Sequence, residues 1–161
     1  NAFLTLEQEI DRVQNYLYIQ NIRHDGKFRL ICRIASGTEK QPVIKLLLQP
    51  LVENSIIHGF EYKEADCVIA IRSFHRGNTL VIEVIDNGCG ISEETLQKIE
   101  ATLLPETKPG NDIYGIYNIH QRIRLHYGAQ YGISFTSFAG HYTKVTIILP
   151  YDNHKDGGPN V

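Results

Sequence analysis

The stretch LLLQPLVENSIIHG at residues 46–59 decides how the rest of the chain is read. Val43, Leu46, Leu47, Leu51 and Ile57 are apolar nearly all round a helical turn, which predicts a helix at the centre of the core. Pro42 suits the first turn of that helix, where its missing N–H costs nothing, and Pro50 inside it should kink or restart it. Polar groups gather at the far end. Asn54 and His58 are four residues apart and so share one helical face, with Glu53 beside them.

Two stretches further on match this one in kind. The alternating, β-branched run TLVIEVI ends in DNGCGI at residues 86–91. A carboxylate at a strand end, followed by glycines two apart, projects from a rigid edge into a turn that lets a ligand come close to backbone. The third stretch, GIYNIHQRIR at residues 115–124, is a glycine opening a helix that carries Arg122 and Arg124. The free N–H groups of such a helix start are available to anions.

An asparagine helix, an Asp-x-Gly-x-Gly turn and a glycine-opened helix, in that order, resemble the boxes of the GHKL ATPases. That superfamily covers gyrase, a heat-shock chaperone, histidine kinases and a mismatch-repair protein. The wording LxxQPLVENSIxHG and YGIYNIHQRIRLHYG is most similar to membrane sensor histidine kinases of the LytS/YesM type, and the resemblance runs from about residue 4 to 150. It implies an α+β fold, the two-layer α/β sandwich of the GHKL (Bergerat) type. It also implies an ATP-binding catalytic domain that moves the γ-phosphoryl of ATP, with Mg²⁺, to a histidine on a dimerisation domain absent from this chain. A homodimeric partner in the same protein, a downstream response regulator and an upstream membrane sensor come with it, which would make this a cytoplasmic domain of a membrane protein.

The resemblance also assigns roles. Asn54 becomes the magnesium ligand, since Mg²⁺ takes hard oxygen donors and keeps several waters. Glu53 is a candidate to orient a magnesium-bound water or to pair with a cation. In ATP-hydrolysing relatives the base glutamate lies one turn before the asparagine, a place held here by Pro50, so transfer to a histidine is favoured over hydrolysis. His58 either contacts phosphates or ribose, or interacts with its own helix dipole. Asp86 accepts a hydrogen bond from the adenine amine; Gly88 and Gly90 permit close approach to the base, and Ile91 packs beside it. Gly115, with the N–H groups of Ile116 and Tyr117, meets phosphates. Asn118 matches the family's asparagine, and Thr143 is a water-mediated base contact. Arg122 either reaches phosphates or pairs with a carboxylate.

Two positions depart from the pattern. Ile57 stands where many histidine kinases carry a lysine three residues after the magnesium asparagine, leaving Lys63, Lys108 or Arg122 to supply charge. Ile113 stands where the second glycine box often has its first glycine, with Gly110 upstream. Two further readings stay open: a GHKL ATPase or anti-sigma-factor-like serine kinase, against which the extended N-terminal helix and the QPLVENSIxHG wording argue, and a degenerate nucleotide-binding module whose Ile57 and Ile113 departures have removed turnover.

Around the boxes, residues 1–23 read as one amphipathic helix, with Thr5 and Gln8 as a capping box before Leu6, Ile10, Val13 and Leu17. Residues 1–26 are expected to dock on the catalytic core and to lead from the missing dimerisation region. Residues 27–150 form the ATP-binding domain, and residues 151–161 a disordered tail. KFRLICRI is a strand. CVIAIRSFH and TLVIEVID form a hairpin about Arg76-Gly77-Asn78, and YGISFTSF and YTKVTIILP a second about Ala139-Gly140. Ser92 caps a short helix to about Thr102. LLPETKPGND, residues 103–112, reads as a mobile loop in the place of the family's ATP lid.

At 161 residues the chain is long enough to bury a real core. A formal charge of −2 gives no general attraction to nucleic acid, and no apolar run approaches the ~18–20 residues that span a bilayer. Cys32, Cys67 and Cys89 have no metal-type spacing and suit a reducing compartment. The start without methionine and the tail DNHKDGGPNV fit a piece of a longer protein.

Overall fold

The computed structural model describes residues 2–103 and 114–152. Lys108, Gly110, Ile113, most of the loop expected as a lid, and the tail from residue 153 lie outside the described residues. The sheet that organises the fold runs β2 (Phe28–Ile34), β4 (Cys67–Arg76), β5 (Thr79–Asp86), β7 (Tyr142–Pro150), β6 (Gly132–Phe138). Only β2 and β4 pair in parallel; the other neighbours are antiparallel, so the sheet is mixed. The two sequence-predicted hairpins supply β4–β5 and β6–β7. Helices cover one face, giving the expected α+β arrangement.

Period-two alternation decides which side chains meet the helices. Ile69 and Ile71 of β4, Leu80 and Ile82 of β5, and Ile147 and Leu149 of β7 are all buried. Opposite them lie α1 (Leu6–Arg23), α2 (Gln49–Asn54), α3 (Glu93–Thr102) and α4 (Tyr114–Tyr127). Helix α1 begins on the capping box read from sequence: the Gln8 amide donates to Thr5 Oγ1 and the Thr5 amide to Gln8 Oε1. Its Leu6, Ile10, Val13 and Leu17 belong to the same core cluster as the sheet. At roughly 1.5–3 kcal/mol for each buried aliphatic side chain, that face binds α1 firmly to the rest.

The long helix expected from Pro42 does not form. Residues Pro42–Ile44 are a strand, β3, paired antiparallel with β1 (Phe3–Thr5), Leu4 opposite Val43. Leu46 then takes a left-handed conformation, φ +58°, which interrupts any helix, and α2 starts only at Gln49 with Pro50 in its first turn. Tyr151, assigned to the tail by sequence, is instead buried. Its ring stacks on His75 with centroids 4.3 Å apart, and its amide donates to the Asn78 carbonyl.

Candidate functional site

Helix α2 does not end at Asn54 but widens into a π-turn over Ser55–Gly59, closed by the Phe60 amide donating to the Ser55 carbonyl at 2.9 Å. Single π-turns of this kind gather at functional sites because they re-aim side chains. Here Ser55 is turned onto the end of β5. Its hydroxyl donates to Asp86 Oδ2 at 2.7 Å, while the Gly88 amide donates to Asp86 Oδ1 at 3.0 Å. Asp86 is 5% exposed. Burial raises its pKa above the ordinary carboxylate value, and the bonds from Ser55 and Gly88 oppose that rise. Asp86 is thus a partly satisfied buried carboxylate with lone pairs left for a donor.

A cavity of about 270 Å³ opens beside it. Asn54, Ser55 and His58 line it from the α2 end, Asp86, Gly90 and Ile91 from the turn, and Ile99, Ile116 and Thr143 from α3, α4 and β7. Largely apolar walls with a few convergent polar groups are the usual build of a small-molecule site. Thr143 lies directly opposite Asp86 in the β5–β7 register, and Ser137 opposite Thr143 in the β6–β7 register. Ser137 Oγ accepts from the Ile91 amide at 2.6 Å and so fixes the turn on this polar row.

The two glycines of the turn also answer to a steric demand within the protein. A Cβ on Gly88 would lie 2.3 Å from the Gly59 carbonyl oxygen, and one on Gly90, at φ +70°, 2.4 Å from that of Phe138. Both are required by the protein's own backbone. The Cys89 amide donates to Gly59 O at 2.8 Å, and the Gly140 amide to Cys89 O. The asparagine-helix box and the aspartate turn are thereby joined main chain to main chain.

Of the other expected residues, Glu53 lies outside the cavity lining. Its carboxylate accepts from Gln49 Nε2 at 3.0 Å, and its charge contributes to raising the Tyr16 pKa, after burial. Gly115 and Asn118 sit in the first turns of α4, outside the lining, whereas Ile116 of the same helix is buried against the cavity. Arg122 donates its guanidinium N–H groups to the carbonyls of Lys45 and Leu46. Lys63 Nζ donates to the Asn87 carbonyl at 3.0 Å. Among the described residues no lysine or arginine lines the cavity.

Sequence reasoning missed Ser55, Cys89, Ser92, Thr95 and Ile99, all in the lining. Ser55 had a usable signal: a small hydroxyl next to Asn54, at the end of an otherwise apolar helix, has to find a partner. The α3 residues had none, because only tertiary packing brings that helix over the turn.

Comparison with known proteins gives a consistent result. The family model described as histidine kinase-, DNA gyrase B- and HSP90-like ATPase matches residues 39–153. The sensor protein LytS of Bacillus anthracis is 30% identical over 147 residues, which cover 91% of this chain and 25% of that protein. The sensor protein kinase HptS of Staphylococcus aureus (strain USA300) is 29% identical over 150 residues, 90% of this chain and 27% of that protein. The chain thus spans about a quarter of the length of the curated relatives it matches. Among solved structures, the catalytic domain of histidine kinase ThkA superposes with a TM-score of 0.64 at 18% identity, covering 92% of this chain and 93% of that one. ThkA in complex with the response regulator protein TrrA gives 0.63 at 14% identity, covering 95% and 42%. These distant structures share the fold. With the family model spanning most of its length, the chain belongs to the histidine kinase-, DNA gyrase B- and HSP90-like ATPase family.

Proposed function

We propose that this chain is the ATP-binding catalytic domain of a sensor histidine kinase, and that the cavity beside Asp86 holds the nucleotide. The observation that carries the reading is the buried Asp86 carboxylate, held by Ser55 and Gly88 and facing an apolar cavity. An adenine amine supplies the missing donor. A base with a carbonyl at that position would set acceptor against acceptor in a buried place, which rejects it strongly. Ile91, Ile99 and Ile116 offer apolar surface to the ring, and Thr143 stands beside Asp86 for a further polar contact.

Asn54 fits a magnesium ion as its one protein ligand. It is a half-buried amide at the cavity edge, an uncharged oxygen donor of the type Mg²⁺ accepts alongside phosphates and water. When bound, the ion neutralises phosphate charge. Catalysis of phosphoryl transfer is mainly positioning and charge stabilisation, so the chain's own contribution is to seat the base, orient the phosphates past Asn54 and His58, and keep water from the ring. The acceptor is a histidine on a dimerisation domain of the same protein, and a response regulator receives the phosphoryl next. The full protein is a membrane sensor with this domain on the cytoplasmic side; no helix among the described residues is long and apolar enough to cross a membrane.

A second reading, a nucleotide-binding module without turnover, is favoured by the absence of lysine or arginine from the described lining. Calorimetric titration with a non-hydrolysable ATP analogue, with and without magnesium, tests the first claim. Binding that selects adenine over guanine, strengthens with magnesium and collapses in Asp86→Asn is the expected result. No binding by the parent chain refutes it. Adding a phosphoacceptor domain with ATP then separates kinase from binding module by the appearance of phosphohistidine.

A further inference from the structure

Helix α2, which presents Asn54 and Ser55 to the cavity, has no cap of its own: its N-cap residue is Leu48, and no side chain there accepts from the first turn. Backbone amides buried in the segment that leads into a helix need a partner, and Leu47 and Leu48 are 0% exposed. The partner comes from 37 to 39 residues upstream. Glu9 of α1, itself 0% exposed, accepts from the amides of Leu46 (2.8 Å), Leu47 (3.2 Å) and Leu48 (3.4 Å). The carbonyls of the same segment are taken by a cation. Arg122 of α4 donates through Nη1 to Leu46 O at 3.2 Å and through Nη2 to Lys45 O. Leu46 adopts its left-handed φ of +58° between these contacts, a conformation that a leucine holds only where its surroundings require it.

Residues 45–48 are therefore a junction of three helices: an anion from α1 holds its amides, a cation from α4 holds its carbonyls, and α2 grows directly out of it. We propose that Glu9 and Arg122 are positioning residues for the nucleotide cavity, acting through residues 45–48 to set where α2 presents Asn54 and Ser55. Displacing α1 pulls on the start of α2, and the pull reaches Asp86 through Ser55. Only the binding part of this inference rests on the nucleotide reading.

The test uses Glu9→Gln, Arg122→Gln and the double variant, with Arg122→Lys as the conservative substitution that keeps charge and one donor. Backbone hydrogen exchange on the nucleotide-free chain is the first readout. Hydrogen bonds to charged groups carry enough free energy that losing one speeds local opening about tenfold or more. The amides of residues 46–48 and of the π-turn 55–60 should both exchange about tenfold faster in Glu9→Gln, with those of the β4–β5 hairpin unchanged. The second readout is ADP affinity by calorimetry. Each single variant should weaken it about fivefold or more, Arg122→Lys less, and the double variant no more than the worse single, because both act on one segment.

Faster exchange confined to residues 46–48 would overturn the proposal, leaving Glu9 as a local cap. Equal acceleration everywhere, or strictly additive losses of affinity, would overturn it as well. If Glu9→Gln does not fold, Arg122→Gln carries both readouts alone. A parent chain that binds no ADP refutes the nucleotide reading, and the exchange readout still decides the junction.

Discussion

Replacing Asp86 by asparagine should make this protein more stable while it stops binding nucleotide. Asparagine fits the same space and can satisfy both partners. Its Oδ1 accepts from the Gly88 amide as the carboxylate does now, and its Nδ2 donates to Ser55 Oγ. The serine hydrogen then turns to the Leu51 carbonyl, already 3.3 Å away. What is lost is a charge that burial disfavours. Asp86 titrates above its ordinary value of 3.8 because of that burial, outweighing the bonds from Ser55 and Gly88. A raised carboxylate pKa contributes stability below the unfolded value and loses it as pH rises through the folded one. The advantage of the variant should therefore open as pH climbs from about 4 and level off near neutrality. Its size at neutral pH should be about 1 kcal/mol, the scale of a buried polar group net of its hydrogen bonds. For a chain of this length that is roughly 2–4 °C in Tm. Calorimetric melts at pH 4, 5, 6 and 7, without nucleotide, read it directly. A variant that melts below the parent at pH 7, or a gap of the same size at pH 4 and pH 7, would refute the reasoning.

Gly88→Ala should lower stability by about 2 kcal/mol or more, since its Cβ meets a backbone oxygen that cannot move aside, and urea unfolding measures it. Gly115→Ala is the contrast: nothing lies within 4 Å of its Cβ, so the same assay should show no loss or a gain of up to about 1 kcal/mol. Reduced affinity for an ATP analogue in that variant, with stability kept, would identify Gly115 as a phosphate contact. His120 is buried, and its Nδ1 accepts from the Ile133 amide at 3.0 Å; burial, and then the Arg124 charge, lower its pKa. Its neutral form is the folded one, so its contribution is complete above about pH 6.5 and is lost as pH falls below that. The urea midpoint of the parent should drop more between pH 7.5 and pH 5.5 than that of His120→Gln, which keeps an acceptor without titrating.

The three boxes and both hairpins were legible because their signals are local. The capping box at Thr5 and Gln8, alternation through β4, β5 and β7, and the turn at Asp86 each lie within about ten residues. What stayed hidden depends on partners far along the chain. Pro42–Ile44 looks like a helix start until residues 3–5 are known to pair with it. Glu9 looks like one more charge on an amphipathic helix, and only the amides of residues 46–48 explain why it is buried. The π-turn at Ser55–Gly59 has no periodicity to betray it, since five residues are too few to shift a pattern. Asp86, Asn54 and Thr143 were found from sequence and do line the cavity, whereas Glu53, next to Asn54 in the motif, lies outside that lining because adjacent helix residues do not face the same way.

The main-chain seam between Gly59 and Gly88 changes what these glycines can testify to. A side chain at Gly88 strikes Gly59, and one at Gly59 lies 3.2 Å from the Asp86 carboxylate. Selection for a folded chain, with no regard to catalysis, would retain Gly88 and Gly90 on steric grounds. A descendant that had lost its nucleotide would keep both glycines while Asn54 drifted and Asp86 gave way to asparagine. In a library scored once for cellular abundance and once for ligand capture, Gly88 and Gly90 should be intolerant in both screens. Substitutions at Asn54, and Asp86→Asn, should fail only in the second, and that difference separates working members of such a family from retired ones.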